Sequence, residues 1–142
     1  MMRDPASGRL ALTKREAVAV VLFLAVAADG NIDEAEEELV VAFSNRMRLL
    51  RGQAPEEFNA MINELRALLR TVSAQEVLET AAKMIPAHLH DTMYALAADL
   101  AFADGRIADA ERSTLSAMRH ALDVPEALAL KIEEVCLIKS RG

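Results

Sequence analysis

Apolar residues along this chain recur at helical spacing almost from end to end, and no stretch alternates with the two-residue period of a strand. Thr13-x-x-Glu16 has the form of a capping box, so a first helix is expected from there to Ala28. Its residues from Ala17 onward are apolar around the whole circumference, the pattern of a helix buried on every side. Gly30 then supplies a residue that can end it in a left-handed conformation. Asp33-x-x-Glu36 opens a second helix with Leu39, Val40, Phe43, Met47 and Leu50 on one face, ending at Gly52. Pro55 starts a third, whose Phe58, Met61, Ile62, Leu65, Leu68 and Leu69 form the cleanest amphipathic stripe.

Ser73-x-x-Glu76 caps a fourth helix through Val77, Leu78, Ala81 and Ile85. Pro86 breaks it and is expected to start a fifth, which runs to Ala103 and is nearly all apolar after Met93. A sixth helix from about Asp109 carries Leu115, Met118 and Leu122. A seventh follows Pro125 with Leu128, Ile132 and Val135. The expected fold is all-α: a compact bundle of about seven helices with the first and fifth at its centre. Residues 1–12, with Pro5, Ser7 and Gly8, read as a flexible tail ahead of one domain over 13–142.

The two central helices lead into the same motif. Ala28-Asp29-Gly30-Asn31-Ile32-Asp33-Glu34-Ala35-Glu36 reappears as Ala103-Asp104-Gly105-Arg106-Ile107-Ala108-Asp109-Ala110-Glu111, 75 positions later. Such a period implies two related halves, each with carboxylates beside a tight turn. Oxygen ligands grouped at a turn suit a hard divalent cation. The spacing also matches the second half of a calcium-binding EF-hand loop. However, that loop's first and third ligand positions fall on Ala25 and Ala27 in one copy, and on Leu100 and Phe102 in the other. Those side chains cannot coordinate, so neither copy is an EF-hand.

An Asp just past a helix C-terminus faces the negative end of the dipole, at a cost of roughly 0.3–1 kcal/mol. A cation would offset that cost. The candidate ligands are Asp29, Asp33 and Glu36 at the first turn, and Asp104, Asp109 and Glu111 at the second. The first copy is the sharper, with no basic residue between Asp29 and Glu38, whereas Arg106 and Arg112 dilute the second. The competing reading is purely structural. Asp29 and Asp104 would accept N–H bonds across their own turns, and Glu36 and Glu111 would be arms of capping boxes.

Composition narrows the partners. A net charge of −6 disfavours nucleic acid, which needs a basic face. The single Cys136 excludes an internal disulfide and fits a reducing compartment; among Ile132, Val135, Leu137 and Ile138 it reads as a small buried hydrophobe. Lys14-Arg15 before the run Ala17–Ala28 imitates a signal peptide. Glu16 interrupts the basic flank, though, and twelve apolar residues fall short of the roughly 20 that span a bilayer. The expected location is the cytoplasm. His88 and His90, two apart, do not form a helical ligand pair, and Ser113, Thr114 and Ser116 have no neighbouring base. Asp99, the only charge in the apolar part of the fifth helix, is read as facing water in preference to being a buried ligand.

The doubled A-D-G-x-I-x-x-x-E, an apolar helix before each copy, and the Lys83-Met84-Ile85-Pro86 break between them resemble the TerB-like tellurite-resistance family. The resemblance covers nearly all of the chain from Thr13. It implies a seven-helix bundle with pseudo-two-fold halves and an acidic surface that binds divalent cations. By motif match that role falls to Asp29, Asp33 and Glu36, and to Asp104 and Glu111, with Ala108 departing from the first copy's Asp33. Relatives are associated with bacterial resistance to tellurite and other stresses, and similar domains are fused to membrane co-chaperones. Without a J domain or anchor, this chain resembles a free-standing version.

The function expected is a non-enzymatic, metal-responsive interaction module with a protein partner and no membrane span. Ca²⁺, Mg²⁺, Mn²⁺ and Zn²⁺ are not distinguished. The alternatives are a metal-dependent hydrolase with clustered carboxylates, and a structural assembly protein, for instance a homodimer.

Overall fold

The computed structural model describes residue 2, residues 9–27, residue 38, residues 55–102 and residues 109–140. Six α-helices lie within them: α1 (Lys14–Val26), α2 (Pro55–Leu68), α3 (Ala74–Met84), α4 (His90–Ala101), α5 (Asp109–Ala121) and α6 (Glu126–Lys139). A single 3-10 turn, Ala87–Leu89, joins α3 to α4, and there is no strand among the described residues. The chain is all-α, as its periodicity demands. Of the second of the seven expected helices only Glu38 is among the described residues, where it is helical; the rest lies outside them.

Local signals act where the sequence put them. The Thr13 hydroxyl accepts from the Glu16 amide at 3.1 Å, and the Glu16 carboxylate accepts from the Thr13 amide at 2.9 Å. This reciprocal box starts α1 and shields Glu16, the one buried charged residue of the described core. The Ser73 hydroxyl accepts from the Glu76 amide at 3.2 Å and starts α3. Pro86 departs from expectation. Its backbone is extended (φ −54°, ψ 138°), so it stands outside the helix, and α4 begins four residues later at His90.

All residues of α1 from Glu16 to Val26 are buried. It packs against α2, α3, α4 and α5, which explains why an amphipathic stripe is missing from its sequence: no side faces water. The run that imitates a signal peptide is therefore the core, and no described helix is long and apolar enough to cross a membrane. α4 packs against α1, α5 and α6, burying Met93, Tyr94, Ala97, Ala98, Leu100 and Ala101. The stripe of α2 is buried as spaced, with Leu69 packed at its margin.

Two local readings change. In α6 the buried side chains are Ala129 and Cys136, with Leu128 and Ile132 half-covered, while Val135 is 54% exposed. Near the N-terminus, Met2 is buried, its amide donates to Glu64 Oε1 at 2.7 Å, and its carbonyl accepts from Ala11. Where it is described, the segment read as a tail is thus held against α2.

Candidate functional site at the exits of the central helices

α1 ends at Ala27, whose amide donates to the Phe23 carbonyl at 2.9 Å. α4 ends at Phe102, whose amide donates to the Ala98 carbonyl at 2.9 Å. Both capping residues are buried, at 1% exposure. The last turns differ from those of the other helices in one respect. α2 carries Arg66 there, α3 Lys83, α5 Arg119 and His120, and α6 Lys139, whereas α1 and α4 carry no basic residue. The carbonyl ends of the two central helices, each just ahead of an acidic turn, therefore have no base in their own last turn to balance the dipole, although Lys139 of α6 pairs with Asp99 in the last turn of α4.

Of the six candidate ligands, Asp29, Asp33, Glu36 and Asp104 lie outside the described residues. Asp109 and Glu111 stand in the first turn of α5, where negative charge is favourable. Asp109 is exposed; Glu111 is half-buried and already has an interaction partner. Among the described residues no three His, Cys, Asp or Glu side chains group closely enough to hold a metal ion.

Beside this end of α1 lies a cavity of about 190 Å³ that the sequence reading missed. It is lined by Leu24, by Ala74, Gln75 and Leu78 at the start of α3, and by Ser113, Thr114 and Ala117 of α5. Leu24 precedes Asp29 by five residues and Ser113 follows Asp104 by nine, so the cavity adjoins both repeats along the chain. Its signal in the sequence is small side chains at facing positions: Ala74 on α3, and Ser113 and Ala117 one turn apart on α5.

The other ionisable candidates have structural partners. His90 Nδ1 is 2.9 Å from the Leu122 carbonyl oxygen, and its Nε2 is 2.8 Å and 3.1 Å from those of Ile85 and Ala82. It ties the end of α3 to the residue after α5. His88 is exposed on the 3-10 turn, so the two histidines diverge as expected. His120 Nδ1 lies 2.8 Å from the Ser116 carbonyl oxygen on its own helix.

Asp99 does not simply face water. Its side chain is 17% exposed and receives Lys139 Nζ at 2.7 and 2.8 Å, with Cys136 Sγ donating at 3.5 Å. Burial, then the charge of Asp99 and the hydrogen bond to it, push the Cys136 thiol up to about 11. A thiol so protonated is a packing group, not a nucleophile. Burial also pushes Tyr94 up to about 12, with Glu133 adding to it.

Neither a curated protein nor a solved structure matches the chain. A family model described as tellurite resistance protein TerB matches residues 15–133, from the second residue of α1 into α6. Because that match spans well over half of its length, the chain belongs to the TerB tellurite-resistance family.

Proposed function

We propose that this member of a tellurite-resistance family is a non-enzymatic module that binds a divalent cation at the exits of its central helices and then engages a protein partner. The observation that carries the reading is the pattern of helix ends. Four of the six described helices have a base in the last turn, and the two without one, α1 and α4, run into the acidic repeats. A cation held by Asp29, Asp33 and Glu36 would supply the missing positive charge at the end of α1. Asp104, Asp109 and Glu111 would do the same for α4, more weakly because Lys139 already pairs with Asp99 in that last turn and because Arg106 and Arg112 dilute the repeat in the sequence. An all-oxygen donor set suits Ca²⁺, Mg²⁺ or Mn²⁺ better than a soft-ligand metal.

The non-enzymatic part rests on the sequence, in which no Gly-rich phosphate loop or zinc-ligand spacing occurs. Calorimetric titration with Ca²⁺, Mg²⁺, Mn²⁺ and Zn²⁺, paired with thermal melts, is the test. Heat and a raised melting temperature are expected with at least one ion, and both should vanish in the double variant Asp29→Asn, Glu36→Gln. Silence with all four ions would defeat the reading.

A further inference from the structure

We propose that α6 is the seam of a homodimer, packing its outer face antiparallel against the same face of a second copy. Apolar side chains left together in water mark an interaction surface. α6 carries five charged residues, with large apolar ones spread between them around the helix, yet the described residues cover only the side of Leu128, Ala129, Ile132 and Cys136, chiefly through α4. Its other large side chains are left in water: Leu130 is 59% exposed, Val135 54%, Ile138 53% and Leu137 44%. Among the described residues these are four of the five exposed large hydrophobics, the fifth being Met84 on α3.

The outer face is complementary to itself in one direction only. Ala127, Lys131, Glu134 and Ile138 follow one another at spacings of four, three and four, the heptad spacing of a two-helix seam with a charged pair at its middle. All four are exposed. With the two-fold axis level with the Ile132–Glu133 peptide, antiparallel packing sets Lys131 of each copy against Glu134 of the other, twice. The same register brings Ala127 opposite Ile138 and lays Leu130 beside Leu137 along one flank. Parallel packing would instead stack Lys131 on Lys131 and Glu134 on Glu134. Charge therefore selects the second copy and its direction, and the leucines supply the attraction. A desolvated Lys–Glu pair in such a seam sets register more than strength.

One helix pair buries less than the roughly 1,200 Å² of the smallest standard interfaces, so association should be weak and concentration-dependent. The proposal does not depend on the cation reading, and its test is run in chelator. Sedimentation equilibrium of the full chain in EDTA, from micromolar to about millimolar protein, should show a monomer–dimer equilibrium. Lys131→Glu and Glu134→Lys alone should each weaken it at least about tenfold, and the double reversal should restore it. Leu130→Glu with Leu137→Glu should leave a monomer with unchanged helical circular dichroism, since both side chains are exposed. A monomer at every concentration would overturn the proposal. So would a dimer that ignores the leucine variant, or one that the double charge reversal fails to restore.

Discussion

His90 shows how much a single side chain joins in this bundle. One ring reaches carbonyl oxygens of Ala82, Ile85 and Leu122, at the ends of two different helices. Those are the groups that a helix terminus leaves without intrahelical donors. His90→Ala should lower the unfolding free energy by about 1–3 kcal/mol in urea titration, because acceptors at a partly buried site lose their donor. His88→Ala, an exposed change two residues away, should cost well under 1 kcal/mol. Sequence showed that the two histidines diverge. It could not show His90's role, because its partners are main-chain groups up to 32 positions distant.

Among the elements, α1 and α6 are opposites. α1 reads as apolar all round from Ala17 and is enclosed by four helices, whereas α6, with five charged residues in fourteen, has one principal neighbour among the described elements. Leu22→Ala in α1, at a fully buried position, should cost about 2–5 kcal/mol through lost transfer energy and the cavity left behind. Chemical denaturation of the two variants tells them apart: Leu137→Ala in α6 should change monomer stability by less than 1 kcal/mol. Helix starts at Thr13 and Ser73 were legible because a cap is a local contact between residues three apart. The start of α4 was not. Pro86 fits a helix's first position sterically, and the chain places a 3-10 turn after it that brings His90 to the carbonyls of Ala82 and Ile85.

For the whole molecule, two buried acids contribute to the behaviour in alkali. Tyr94 is raised from 10.0 to about 12, and Cys136 from 9.0 to about 11, in both cases first by burial. The folded state holds these protons after the unfolded chain has released them. Stability from this source is therefore complete below about pH 9 and is lost as pH climbs through about 12. Urea midpoints measured from pH 7 upward should be flat at first and then fall. Tyr94→Phe should flatten the upper part of that fall, since the ring packs the same core but has no proton to lose.

From residue order alone followed the helical class, the caps, the buried character of α1 and Cys136, the acidic repeats and the family. All of these depend on periodicity or on neighbours a few positions apart. Tertiary structure decided what depends on distance in the chain: the partners of Asp99 and His90, the cavity between α1, α3 and α5, and which apolar side chains of α6 meet water. A side chain's exposure is set by what packs over it, and the fourteen residues of α6 do not by themselves say that Leu128 and Ile132 are covered while Leu130, Val135 and Ile138 are exposed.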